Sequence, residues 1–362
     1  MQKLLGSVSD AVVGQQGAQE SLSDTCFSEK GEYAVDLTRF KRLNLFRRPT
    51  PLEELARLQQ AIGCKPRIFL KRDDLTDSGL GGNKNRKLDF IMADAVAQGS
   101  DVIITLGGVQ SNHCRQTLAV ATKLGLECHL ILQGEKPAVR QGNLLYDTLL
   151  GANIHFVPAD ADMYEVAADL IAELEKKGRK PYLIPVGGST PLGALGYVES
   201  TLEVIEQGKE MGVTFGHAFL ATGSAGTQGG AEAAAREKCP SMKIHGVSVS
   251  REAEPVKKSV ANMANQVYAL LGIDKTVSPE DIIVYDQYYG EKYAVPTEAG
   301  NDAIRLLART EAIVLDPVYT GKAMSGMIDM LRKGLLDDAE AVLFFHTGGY
   351  PAIFAYAEYF QE

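Results

Sequence analysis

The residues best equipped for chemistry are one lysine and three glycine-rich turns. Lys84 lies in the run GGNKNRK (81–87), just after a glycine pair. It opens a segment carrying Leu88, Ile91, Met92 and Ala95 at helical spacing, with Asn83 in the capping position. An amine at a helix start faces the positive end of the backbone dipole, which disfavours its ammonium form. The neighbouring cations Arg86 and Lys87 push the same way. Such a lysine is a candidate nucleophile toward a carbonyl, because Schiff-base formation needs the free amine. The same run also reads as a basic, solvated helix face, and the pattern alone leaves both readings open.

The turns are GGVQSN (107–112), GGST (187–190) and TGSAGT (222–227), each after an apolar run. In open α/β sheets, ligands bind outside the carboxyl ends of strands. The third turn, Thr222, Gly223, Ser224, Ala225, Gly226 and Thr227, is the best anion cradle. Glycines let N–H groups approach an anion, and the following helix offers its positive end. Ser224 and Thr227 add hydroxyl donors. Ordinary strand-to-helix turns use the same residue types for backbone reasons. There is neither a GxGxxG after the first strand nor a GxxxxGK[ST], so a dinucleotide or P-loop reading is poorly served.

The elements that must position these groups read as an alternation. Strands are expected at 67–71, 101–106, 128–132, 154–157, 182–186, 217–221, 243–249 and 341–346. Helices are expected from 83, and at 112–124, 143–150, 163–177, 192–212, 227–237, 298–310 and 321–333. Short glycine-bearing turns after the strands complete the pattern of a mainly parallel sheet covered by helices. The length favours two lobes with a cleft between. Residues 1–36, rich in Gln, Ser and Gly, read as a weakly structured N-terminal extension.

The chain has 362 residues, 45% of them hydrophobic and 23% charged, with a formal charge of −9. That balance argues against nucleic-acid or anionic-membrane partners. No apolar run is long enough for a membrane span, and no convincing secretory signal opens the chain. The five scattered cysteines form no CxxC and no Cys/His cluster, so no disulfide framework and no metal site is expected. Free thiols in a reducing cytoplasm are the reading they favour.

Six co-linear motifs resemble one family: KRDDLTDSGLGGNKNRK (71–87), GGVQSNHCRQT (107–117), IPVGGSTPLGALGYVE (184–199), ATGSAGTQGG (221–230), LDPVYTGKAMSGMID (315–329) and FHTGGYPAIFAY (345–356). They look like the D-cysteine desulfhydrase and 1-aminocyclopropane-1-carboxylate (ACC) deaminase family of pyridoxal 5'-phosphate (PLP) enzymes, across roughly residues 38–358. The resemblance implies a tryptophan-synthase-β-like α/β fold (fold type II) of two lobes. The larger, PLP-binding domain would comprise 37–86 plus 191–362, the smaller 87–190. A homodimer acting on a small amino acid is also implied.

By the same resemblance Lys84 is the Schiff-base lysine, with Asn83 beside it. Asn112 lies next to the cofactor ring, near its phenolic oxygen. Ser111 meets the substrate and helps move protons, and residues 222–227 form the phosphate cup. Tyr319 and Tyr293 stand near the substrate. ACC deaminases read YEG where this chain has Tyr319–Thr320–Gly321, so Thr320 offers the pyridine nitrogen only a neutral hydrogen bond. They also read QSNQ where this chain ends the run in His113. Both differences lean toward β-elimination. The expected reaction is D-cysteine to pyruvate, hydrogen sulfide and ammonia, ahead of L-cysteate sulfo-lyase and then ACC deaminase. His113 is expected to hold the substrate carboxylate, assist the leaving group or simply pack; for a sulfonate substrate, His113 or Arg115 would supply the extra cation. Cys114 reads as a small helix residue and His346 as packing. A non-catalytic PLP-binding protein is the reading from a different class.

Overall fold

The computed structural model describes residues 35–361. Nearly all of the extension read at 1–36 lies outside the described residues. Of the first of two compact units, Met1–Arg39, residues 35–39 form no regular element. The second unit begins at Phe40 and carries the sheets.

In chain order it contains β1 (Leu52–Glu54), α1 (Ala56–Ile62), β2 (Arg67–Lys71), α2 (Lys84–Ala97), β3 (Val102–Gly108) and α3 (Asn112–Lys123). Then come β4 (Glu127–Gln133), α4 (Gly142–Leu149), β5 (Asn153–Val157), α5 (Met163–Lys176), β6 (Pro181–Ile184) and α6 (Pro191–Met211). The remainder is β7 (Phe215–Thr222), α7 (Gly226–Lys238), β8 (Lys243–Ser248), α8 (Ala253–Leu271), β9 (Ile283–Tyr285), α9 (Glu298–Glu311), α10 (Thr320–Arg332) and β10 (Ala341–Phe345). Every expected strand and helix is present, with ends within two residues of the expectation.

The strands form two sheets. One has six strands in the order β1-β2-β10-β7-β8-β9, the other four in the order β5-β4-β3-β6. All pairings are parallel except β1 with β2. Parallel pairing buries both faces, and the strand residues show it by alternating between two apolar layers. In β10, Val342 and Phe344 join Ile68, Leu70, Met324 and Met327 on one face. Ala341, Leu343 and Phe345 join Phe69, Tyr197 and Leu220 on the other. In the smaller sheet Ile103 packs with Leu88, Ile91 and Leu118, while Ile104 and Leu106 face Ala167 and Leu174 of α5. Leu343 is fully buried, so Leu343→Ala costs about 2–5 kcal/mol through lost transfer energy and the cavity left behind.

Four elements went unread in the sequence. β1 and β9 have three residues each, too few to show a period. α1 has a single buried residue, Leu58. The 19-residue α8 did carry a signal: Val256, Val260, Ala264 and Val267 all fall on its buried face. Pro255 and the pair Lys257–Lys258 near its start disguised it as a loop, and its cap is remote in sequence: Asp286 Oδ2 accepts from Ala253 N at 2.7 Å, while the N-cap residue Glu252 makes no capping bond.

Candidate active site

Lys84 is the first residue of α2, and Asn83 occupies the N-cap position. Contrary to the sequence expectation, the Asn83 side chain caps nothing. Its backbone is helical there, with φ −59° and ψ −20°, so the amide is free to turn sideways. Asn83 Oδ1 accepts from Lys84 Nζ at 3.1 Å, and Asn83 Nδ2 donates to Thr227 Oγ1 at 3.1 Å. The lysine nitrogen and the 222–227 turn are thus one amide apart. Asn83 N also donates to Thr347 O at 2.9 Å, which fixes the loop after β10 against the lysine loop. This approach is close enough that a Cβ on Gly348 (φ +86°) would lie 2.6 Å from Gly82 Cα. No side chain fits there.

The solvated-face reading of 81–87 is excluded, because Arg86 and Lys87 are fully buried. Arg86 donates to Asp73 Oδ1 at 2.8 Å, to Glu203 at 2.7 and 3.0 Å and to Thr50 Oγ1 at 2.9 Å. Its charge is therefore spent. Lys84 is still pulled down to about 8, by burial, with Asp316 opposing; adjacent cations are not the cause. Lys87 is held well below the usual lysine range by burial and then by Lys84. Lys87 Nζ donates to Gly187 O at 3.2 Å.

The 222–227 turn has the features of an anion cup. Thr222 Oγ1 is buried without a hydrogen-bond partner, so its donor is uncommitted. Ala225 sits in the left-handed region (φ 66°), which turns the chain into α7. A Cβ on Gly226 would lie 2.8 Å from Ser189 Oγ and 2.9 Å from Lys87 Nζ, so glycine leaves the space between them open. Ser189 Oγ donates to Ser224 Oγ at 2.7 Å, and Arg251 Nη2 donates to Gly223 O at 2.5 Å. Lys87 and Arg251 were not singled out from the sequence as parts of this site. Nothing in local spacing tells a buried lysine from a solvated one.

Opposite stands the turn between β3 and α3. Ser111 caps α3, its Oγ accepting from Cys114 N at 3.2 Å. Asn112 is buried, its Oδ1 accepting from Asn143 Nδ2 at 2.8 Å. His113 Nε2 meets Thr105 Oγ1 at 2.8 Å. Thr105 Oγ1 also donates to Ile184 O at 2.9 Å, and the buried Nδ1 of His113 has no hydrogen-bond partner. Burial, then Lys84 and Lys87, push His113 well below its ordinary range. A neutral imidazole cannot act as the carboxylate-holding cation. Arg115 does not line the cavity either; its Nη2 donates to Gly81 O at 3.2 Å.

Tyr319 ends the loop before α10 and shares a short hydrogen bond between hydroxyls with Tyr293. Burial, then Tyr293, hold the Tyr319 phenol well above its ordinary value, so it stays protonated. Thr320 departs from expectation. Its Oγ1 donates to Asp316 Oδ1 at 2.7 Å and accepts from Asp316 N at 2.8 Å, away from the cavity lining. The Asp316 carboxylate also accepts from the N–H groups of Val318, Tyr319 and Thr320, all at 2.9 Å, and so builds the loop that presents Tyr319. His346 packs, donating from Nε2 toward Val314 O at 3.2 Å.

These groups enclose a cavity of about 700 Å³ at the carboxyl ends of β3 and β7. Asn83, Lys84, Ser111, Asn112, His113, Thr222, Gly223, Ser224, Ala225, Thr227, Tyr293 and Tyr319 line it; Gly226 and Thr320 stand behind the wall. No Asp or Glu is among the described lining residues, and Lys84 and Arg251 are the only lysine or arginine. An amine able to lose its proton, beside a hydroxyl- and amide-rich cup with an uncommitted donor, fits a phosphorylated aldehyde.

Comparison with known proteins agrees. The profile of the pyridoxal-phosphate dependent enzymes matches residues 43–348. The D-cysteine desulfhydrase of Yersinia enterocolitica serotype O:8 is 43% identical over 325 residues, 88% of this chain and 97% of that protein. The D-cysteine desulfhydrase of Serratia proteamaculans is 43% identical over 332 residues, with the same coverage. The crystal structure of an ACC deaminase homologue superposes with a TM-score of 0.82 at 37% identity, covering 89% of this chain and 96% of that one. The processed form of threonine deaminase isoform 2 from Solanum lycopersicum, at TM-score 0.58 and 14% identity over 83% of this chain and 79% of that one, shares the fold. Fold, cup and lysine thus converge with the similarity in sequence: the chain belongs to the pyridoxal-phosphate dependent enzyme family.

Proposed function

We propose that this protein is a lyase that converts D-cysteine to pyruvate, hydrogen sulfide and ammonia, with PLP held on Lys84. The observation that carries the reading is the Asn83 bridge from Lys84 Nζ to Thr227 Oγ1, each step 3.1 Å, which supports one cofactor spanning both ends. Thr222, Ser224 and Thr227 would hold the phosphate with the first N–H groups of α7, and Lys87 Nζ would add a donor from behind Gly226. Asn112 would flank the ring. When bound, PLP supplies an electron sink for the pair released at Cα.

The residues of the chain do the rest. The Lys84 amine, its basicity lowered by burial, would take the α-proton. Ser111 Oγ, at the positive end of α3, can pass a proton or bind the substrate carboxylate. The protonated Tyr319 hydroxyl, steadied by Tyr293, would donate to a departing sulfur. The Cβ–S bond breaks with its electron pair on sulfur. The released enamine takes up water to give pyruvate and ammonia.

A thiol leaving group is favoured over a sulfonate by the lining. A doubly anionic substrate needs a second cation, yet His113 is neutral and Arg115 faces Gly81. The guanidinium of Arg251 is tied to Gly223 O. ACC deamination loses support because Thr320 directs its proton to Asp316. The reading extends to a larger PLP domain of 37–86 plus 191–362 and a smaller one of 87–190, consistent with which strands share a sheet, although the 86/87 boundary falls inside α2. It further includes a homodimer in the cytoplasm; Cys64, Cys114, Cys128 and Cys239 are free thiols, in keeping with a reducing compartment. No described helix is long and apolar enough to cross a membrane.

The test is a product assay on both cysteine enantiomers, L-cysteate and ACC, paired with Lys84→Ala. Sulfide from D-cysteine, with loss of the lysine-bound visible absorbance in the variant, supports the reading. Sulfite from L-cysteate as the dominant product, or an unchanged spectrum in Lys84→Ala, overturns it.

A further inference from the structure

The first turn of α4 and the 110–112 segment hold each other by four hydrogen bonds that no local rule requires. The N-cap of α4, Gln141, makes no side-chain capping bond. Gln110 supplies the cap from outside: its Oε1 accepts from Asn143 N at 2.9 Å while its Nε2 donates to Gln141 O at 3.0 Å. In return Asn143, with 0% of its surface exposed, donates from Nδ2 to Gln110 O at 2.8 Å and to Asn112 Oδ1 at 2.8 Å.

This arrangement sets a polarity. The Gln110 carbonyl can only accept, so the Asn143 atom facing it must be the nitrogen. Both protons of that nitrogen are then committed, one to Gln110 O and one to Asn112. The Asn112 atom facing Asn143 must therefore be the oxygen. The other end of the Asn112 amide is consequently a donor. It lies 3.0 Å from where a Cβ on Gly349 would stand, in a residue that lines the cavity. A backbone carbonyl thus decides, through one buried asparagine, that a donor and not an acceptor is turned away from α4.

We propose that Asn143 is a positioning residue that fixes the Asn112 amide with its nitrogen toward the cofactor ring oxygen. The proposal rests on Lys84 and Asn112 flanking that ring. A donor on the ring oxygen draws its negative charge away from the neighbouring Lys84 nitrogen, which then holds its proton less tightly. Without Asn143 the Asn112 amide rotates freely and this effect is lost.

The experiment is a visible pH titration of cofactor-loaded wild type, Asn143→Ala, Asn112→Ala and the double variant. The titration midpoint in Asn143→Ala is expected to rise by about one pH unit, the effect of losing one hydrogen bond to a charged group. Asn112→Ala shifts it in the same direction, and the double variant moves no further than Asn112→Ala. A midpoint unchanged in Asn143→Ala, or shifts that add in full, overturns the proposal. Asn143→Ser, which keeps one donor in a smaller volume, replaces Asn143→Ala if that variant does not fold and is read against the same two outcomes. In cofactor-free protein, side-chain amide NMR provides a second readout. One fixed, slowly exchanging Asn112 NH2 pair is expected, lost in Asn143→Ala; an unchanged pair also overturns the proposal. Absence of any visible band in loaded wild type would instead count against the Lys84 reading, with the NMR result still deciding Asn143.

Discussion

Glu203→Gln is the most informative single change outside the cavity, because Glu203 braces the helix turn that presents Lys84. Its Oε2 accepts from Arg86 Nη2 at 2.7 Å, Lys71 Nζ at 2.7 Å and Thr50 N at 3.2 Å, and its Oε1 accepts from Arg86 Nη1 at 3.0 Å. Burial pushes this carboxyl up, but Arg86 and Lys71 outweigh it and hold it at about 2 against an ordinary 4.5. At 1.36 kcal/mol per pH unit that gap is worth about 3 kcal/mol. Breaking a buried pair from one side typically costs about 3–5 kcal/mol, because the partner charge is left uncompensated. The variant is therefore expected to be about 3–5 kcal/mol less stable than wild type at pH 7. Because the folded carboxyl is depressed, the unfolded chain takes up the proton first. The Glu203 contribution is whole above about pH 4.5 and drains away as pH falls toward 2. The assay is urea unfolding followed by far-UV circular dichroism, since the chain has no tryptophan to report by fluorescence. A variant within about 0.5 kcal/mol of wild type at pH 7, or one whose acid loss matches wild type below pH 4.5, refutes the reasoning.

Further outcomes follow from the cavity. In Gly226→Ala the new methyl meets Ser189 Oγ and Lys87 Nζ at 2.8 and 2.9 Å, so the PLP dissociation constant, measured by equilibrium dialysis, rises about tenfold or more. Capture of PLP by cofactor-free protein needs the neutral Lys84 amine; its rate, followed by stopped-flow absorbance, climbs with pH and levels off above about 8, whereas an ordinary lysine would keep it climbing past 10. Burial, then Lys84 and Lys87, hold His113 well below its ordinary range, so His113→Gln leaves the acid limb of the kcat/KM profile in place; a displaced limb would show that the imidazole titrates there. Ala225→Gly relieves a left-handed alanine and raises the stability of the cofactor-free protein by about 1 kcal/mol in denaturant titration.

The apolar runs of β10 and β3 are a local property, so strands and turns were legible from residue order, and with them the cup; the lysine run stayed open on pattern alone and was assigned only by resemblance to a family. What stayed hidden depends on contacts distant in sequence. Arg86 and Lys87 look like a surface run because nothing near them says that Asp73 and Glu203 wait 13 and 117 positions away. Asn83 looked like a cap and became a bridge, since its helical backbone turns the amide toward Thr227. Thr320 was expected to face the cofactor by resemblance to the YEG run of ACC deaminases, yet the loop folds its hydroxyl onto Asp316. Asn143 and Asp316 gave no sign at all, for an amide or a carboxylate that organises a neighbour has no period and no motif.

The position of β10 bears on how the molecule must be made. This last strand lies between β2 and β7, and pairs with both. Until residues 341–345 leave the ribosome, β1-β2 and β7-β8-β9 have no strand to join them, and each half presents an open edge that invites pairing with another chain. The Gly348 turn that seals the lysine loop arrives only after that. A chain interrupted between β9 and β10 therefore holds two unjoined half-sheets and an unsealed lysine loop in place of a weakened enzyme.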